Sequence, residues 1–269
     1  MAIARDAVQL ATQLGYEDRI QSRRGLYGED YFVRIGLYAK GIDIYRAILH
    51  LLEYRFTVPC QILCRALTES GMAFEFLCRY SIRLWEYKNK KKCPLKLFGK
   101  RLTRHFRTAL YMTHCTLEER RWLDEAGALG NPREWRNAKK AISLQLTECE
   151  QEIGSQWFQR LEASRTYSGV SIRQTAYCLG IQHRKWYNAV YRDQSRAVHA
   201  ADPKSYVAWS DEDCLTAPSD DSDEAAAIAL NLSTLVFFQM LHRFAKTFYI
   251  TDAQSNKFWD LYQRLAEID

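Results

Sequence analysis

Few positions in this chain can reverse direction sharply, and that scarcity limits the folds open to it. Only 12 Gly and 5 Pro punctuate 269 residues, whereas a sheet-rich fold needs turn residues between successive short strands. Apolar side chains recur instead at three- and four-residue steps. In 30–54, Phe32, Ile35, Ile42, Tyr45, Leu49 and Leu52 form one stripe of an amphipathic helix. The stretch 58–80 is apolar nearly all round, which predicts a central buried helix, with Pro59 in the first turn where a missing N–H costs little. Residues 98–112 set Phe98, Leu102, Phe106 and Ala109 against Lys100, Arg104 and Arg107, a basic amphipathic helix. The same periodicity predicts helices over 116–129, 133–153, 184–199, 223–249 and 253–268, with Asn131-Pro132 and Pro203 between elements. Asp221 followed by Glu224 resembles a capping box ahead of the long apolar run. The expectation is an all-α multi-helix bundle built around a long central helix. It takes 1–269 as a single helical domain, with a basic segment at 88–107 and an exposed acidic loop at 208–222.

Hydrophobic residues are 47% of the chain and charged residues 26%, enough for a sizeable core. The net charge of +6 is unevenly spread. Residues 88–107 carry nine Lys and Arg and no acid, while 211–224 carry seven Asp and Glu and no base. Such a field can steer a polyanion, and it also suits a solvated face. The eight cysteines include no Cys-x-x-Cys pair, and MAIARDAVQL has no apolar signal region, so a reducing cytoplasm is expected. The most apolar stretch, 225–240, holds Asn231, Ser233, Thr234 and Gln239 and falls short of the roughly 20 apolar residues of a membrane span. It reads as a core helix, and no membrane partner is expected.

Several chemistries have no motif here. No Gly-rich phosphate loop, Gly-x-Ser-x-Gly elbow or kinase signature occurs, and the six histidines show no metal-ligand spacing. Neither a metal nor another cofactor is expected.

One stretch, 183–203, does gather polar groups. On an α-helical wheel with Arg192 at zero, Arg196 falls at about +40°, His199 at about −20°, Asn188 at about −40° and Ser195 at about −60°. Trp186, Tyr187, Val190, Ala197 and Val198 take the other side. A histidine can move a proton to or from a ribose 2′-OH, and arginines can neutralise charge growing on a phosphate. Those are the parts of a metal-free RNA cleavage by internal transesterification. The same residues also suit inter-helix salt bridges, with His199 closing a helix near its negative end. A second constellation, Arg65 and Glu69, has i, i+4 spacing in the apolar central helix, where an ion pair needs a structural or a site-lining reason. Within the basic run, Lys91, Lys92, Lys100, Arg104 and Arg107 would suit an RNA backbone.

Two blocks, QILCRALTESGMAFEFLCR and SIRQTAYCLGIQHRKWYNAVYRDQSRAVHAADP, resemble the signatures of a poorly characterised all-helical bacterial family. That family pairs Arg-x-x-x-Glu, here Arg65 and Glu69, with Tyr-x-x-x-Tyr…Ser-x-x-x-His, here Tyr187, Tyr191, Ser195 and His199. Arg192-Asp193, five further residues and His199 also resemble the Arg-x(4–6)-His motif of the HEPN superfamily. Many of its members are metal-independent ribonucleases of toxin–antitoxin and antiviral systems, active as dimers. The resemblance implies a HEPN-like helical core with extra helices. Arg192 and His199 would be catalytic, with Asp193 supporting them and Asn188, Tyr187, Tyr191, Ser195, Arg196, Arg65 and Glu69 as supporting or binding residues. It also implies an RNA substrate, a homodimer and a regulatory protein partner. The alternative expectation is a non-catalytic helical module that binds a nucleotide, nucleic acid or protein.

Overall fold

The computed structural model describes residues 1–16, 28–88, 91–94, 102–126, 131–192, 208–209, 215–216, 223–248 and 250–267. Among them the fold is all-α, as the spacing of apolar residues required, and strands are confined to two short pairs. Contacts divide the chain into two compact units. One is built from Met1–Cys78 and Ile181–Asp269, and the other is Arg79–Gly180, inserted between those stretches in the sequence.

The first unit contains α1 (Ala2–Tyr16), α2 (Glu29–Glu53), α3 (Thr57–Cys78) and α8 (Ile181–Trp186), which runs on as a π-helix over Tyr187–Arg192. It ends with α9 (Asp223–Thr247) and α10 (Asp252–Ala266). Only Tyr54–Phe56 separate α2 from α3, so the two form a helical hairpin. Arg55 takes φ 61° at the reversal. α9 packs on both, because α3 is apolar on almost every side and no single partner could cover it. The contact is aromatic: Tyr38 stacks on Phe244 at 4.0 Å and Tyr45 on Phe237 at 4.3 Å. The Tyr45 hydroxyl lies 2.7 Å from Thr234 Oγ1, which satisfies both groups inside the core. At Gly41 α2 and α9 approach closely, and a Cβ there would meet Met240 Cε at 2.5 Å and push the end of that side chain aside. α1 lies against α2 and α10, and Arg264 of α10 holds Asp6 of α1 at 2.9 Å.

The stretch read as a core helix is α9. By length and composition Ala226–Thr247 is also long enough to cross a membrane, and half of its most apolar window is buried inside the protein.

The second unit opens with an antiparallel hairpin, β1 (Trp85–Lys88) with β2 (Lys91–Pro94). It continues with α4 (Arg104–Ala126), α5 (Pro132–Ile153), α6 (Ser155–Ser164) and α7 (Ile172–Leu179). Asn131 caps α5 by accepting from the Arg133 N–H, with Pro132 next, as the Asn-Pro pair indicated. α4 packs on α5 and α6, and Trp157 sits edge-on to Phe106 at 5.9 Å.

Three expectations change in detail. The segments 98–112 and 116–129 are not two helices, because α4 is continuous from Arg104 to Ala126. Arg107 does not lie on an exposed basic face. It is fully buried among Phe106, Thr108, Ala109 and Leu110, and donates to the carbonyls of Leu102 at 2.5 Å and of Arg79. Near its start α4 is covered on nearly every side, and backbone carbonyls compensate the guanidinium. Finally, the acidic stretch contains β3 (Ala208–Trp209) paired with β4 (Leu215–Thr216).

Candidate functional site

Of the stripe read from the sequence, Asp193, Ser195, Arg196 and His199 lie outside the described residues, as does Lys100. Tyr191 and Arg192 are placed through their backbone. The segment leading to them departs from the wheel on which they were read. α8 gives way at Tyr187 to a π-helical turn that ends at Arg192. A π turn bonds i to i+5 and holds more residues than an α turn, so the α-helical phase does not carry from Asn188 to Arg192. Asn188 is exposed, Tyr187 half-buried, and Trp186 and Val190 are buried, so the apolar side falls where the sequence put it. His183, which sequence reasoning passed over, is buried with its ring 4.8 Å from that of Trp186.

The π turn packs against α3, the helix of Arg65 and Glu69. Those two pair at 3.1 Å, as their spacing implied. The pair is not deeply buried, since Glu69 keeps 41% of its side-chain exposure against 17% for Arg65. The buried ion pair of α3 lies elsewhere. Glu75, 1% exposed, receives two hydrogen bonds from Arg243 of α9, Nε to Oε2 at 2.8 Å and Nη2 to Oε1 at 2.5 Å. The sequence signal was a lone acid in MAFEFLC and an arginine in QMLHRFAKTF, each set in an apolar stretch of its helix. Next to it, fully buried Arg34 donates to the Leu77 carbonyl through Nε at 3.1 Å and Nη2 at 2.9 Å. That satisfies one of the carbonyls left open at the end of α3.

Burial sets the proton chemistry of this unit. It pushes the Cys60 thiol up to about 11 and the Cys64 and Cys78 thiols up to about 12, so these cysteines stay protonated and are poor nucleophiles. Burial, and then the cations Lys246 and Arg243, lower the pKa of His242 against a smaller upward pull from Glu75, which favours its neutral imidazole. A groove of about 230 Å³ between α1 and α2, lined by Arg5, Arg46, His50 and Glu53, contains none of the residues singled out from the sequence.

In the second unit, Lys91 and Lys92 are exposed. Lys92 Nζ sits 4.5 Å from the centre of the Trp85 ring, and the Arg104 guanidinium 5.8 Å from that of Tyr80. Lys91 and Lys92 reach solvent, and Arg107 does not.

One family model, that of DUF5677, a family of unknown function, matches residues 31–213, well over half of the chain. No curated protein and no solved structure matches.

Proposed function

From the premise that the chain belongs to the DUF5677 family, whose function is unknown, we propose that it is a metal-independent, HEPN-like ribonuclease. Its reaction is cleavage of RNA by attack of a 2′-OH on the adjacent phosphorus. One observation supports this reading most. The helix that enters the Arg192…His199 motif switches to π geometry over its last turn before the motif and lies on the helix that holds Arg65 and Glu69. π turns are rare, and they recur at functional sites because they displace side chains from a helix's own phase.

In this scheme His199 takes the proton of the 2′-OH as the O2′–phosphorus bond forms and the phosphorus–O5′ bond breaks. The departing O5′ takes up a proton, and a 2′,3′-cyclic phosphate remains. Arg192, with Arg196 beside it in sequence, offsets the charge that grows on the non-bridging oxygens. Asp193 orients the arginine. Lys91, Lys92 and Arg104 add salt-dependent affinity for the RNA backbone. A toxin or antiphage effector, acting as a homodimer held in check by a protein partner, is the setting this activity suits.

The test is decay of total RNA with the full chain in EDTA. Wild type is expected to cleave, and His199→Ala to lose about 10²- to 10⁴-fold of the rate, the usual share of a general acid or base. Undiminished cleavage by His199→Ala would overturn the assignment. No turnover by wild type, together with a rise in Tm on adding RNA, would point instead to a non-catalytic binding module.

A further inference from the structure

Four rings gather where α10 meets α9. Phe258 is buried and supports the cluster from below, with Trp259 at 5.3 Å and His242 at 5.7 Å from it. Trp259 and Tyr262 lie on the outside, 50% and 45% exposed, their centres 5.8 Å apart and their planes crossed at 78°. Isolated exposed aromatics are ordinary. Here two large rings are contiguous, are fixed to a buried third, and present a corner. A flat base lying on one ring meets the other edge-on, which is an arrangement aromatic pairs favour.

A cation borders the corner. Lys246 is exposed one helical turn beyond His242, whose ring belongs to the cluster. Arg243 is committed to Glu75, and Asp260 sits 3.8 Å from Arg264. The exposed neighbours on α10 are polar: Asn256, Lys257, Asp260 and Gln263. A protein partner that bound by apolar burial would need a wider continuous apolar face. Bases on aromatic rings, with a cation at the backbone, need no more than this.

We propose that Trp259 and Tyr262 are a stacking platform for the bases of single-stranded RNA, with Lys246 at the backbone phosphate. The proposal rests on the ribonuclease reading for the identity of its ligand and adds the single-stranded form. Stacking is tolerant of sequence because every base has a face, so the platform holds a strand without selecting its bases.

The probe is a fluorescein-labelled 12-mer of 2′-O-methyl uridine, which has no 2′-OH to react, read by anisotropy with the full chain. Trp259→Leu keeps apolar bulk and removes the ring, and is expected to weaken Kd by about tenfold or more. Trp259→Phe keeps a ring and should stay within about twofold of wild type, which separates stacking from misfolding. Lys246→Gln should reduce the slope of log Kd on log salt by about 0.7, the share of one phosphate contact in a single strand. Wild-type affinity in Trp259→Leu, or a change confined to its self-association, would overturn the platform. RNA cleavage with oligonucleotide binding indifferent to Trp259 sinks the platform alone. Oligonucleotide binding through Trp259 without RNA cleavage supports the platform and sinks the ribonuclease reading.

Discussion

At Glu75 a carboxylate gives up nearly all of its water and accepts two hydrogen bonds from one guanidinium. Removing Arg243 would strip that buried charge of two charge-assisted hydrogen bonds, so Arg243→Ala should cost about 3–5 kcal/mol in urea unfolding. Arg65→Ala breaks a pair whose glutamate still meets solvent, and should cost less than about 1 kcal/mol. Equal losses from the two variants would contradict this ranking. Arg65 with Glu69 was legible from i, i+4 spacing, whereas Arg243 is 168 residues from Glu75 and no local rule joins them. Histidines set a pH dependence. Burial lowers the pKa of His114 from 6.5, with a smaller upward pull from Glu118 and a downward push from Arg121. The unfolded chain therefore binds the proton more readily, and stability rises with pH across this range. The contribution is complete above pH 6.5 and is lost as pH falls through the lowered folded value. His242 acts with the same sign. Unfolding free energy should fall between pH 7 and pH 5, and His114→Gln should flatten that slope. A slope unchanged in His114→Gln would assign it to other groups.

Among the elements, those with long apolar stripes were legible almost to the residue, as with 30–54 against Glu29–Glu53 and 133–153 against Pro132–Ile153. Short elements were not. α6 has 10 residues and α7 has 8, too few to show a period, and each depends on tertiary contacts. α1 buries Ala4, Ala7, Val8, Leu10, Ala11 and Leu14, a stripe half made of alanine and weak as a hydrophobic signal. In the hairpin, β1 alternates apolar and polar residues over only four positions, and β2, Lys-Lys-Cys-Pro, does not alternate. The π turn was beyond reach, since its wheel differs from the α wheel over too few residues. End signals do carry weight. Thr251 accepts from the Gln254 N–H, and the Gln254 side chain accepts from the Thr251 N–H, closing a capping box at α10. Thr251→Ala should lower stability by about 1 kcal/mol, measured as a shift in the urea midpoint. No shift would mean that packing alone holds that end of α10.

For the whole molecule, the helical class followed from a chain poor in glycine and proline. The division after Cys78 and again after Gly180 did not, because no Pro-, Gly- or Ser-rich linker marks either boundary. The exposed lysines of the basic run belong to the inserted unit, and α3 and the π turn belong to the unit of Met1–Cys78 and Ile181–Asp269. As a candidate site, the Arg65–Glu69 pair was legible, and the helical phase toward Arg192 was not. Burial of Arg107 was not, since a wheel drawn from sequence cannot show how closely other helices surround the start of α4. The central claim is chemical, and the chemistry of the product ends tests it most directly. A defined single-stranded RNA, digested by the full chain in EDTA, should yield 2′,3′-cyclic phosphate ends that are absent with the Arg192→Ala/His199→Ala double variant. Ends of another chemistry, or the same ends in equal yield from the double variant, would contradict the account.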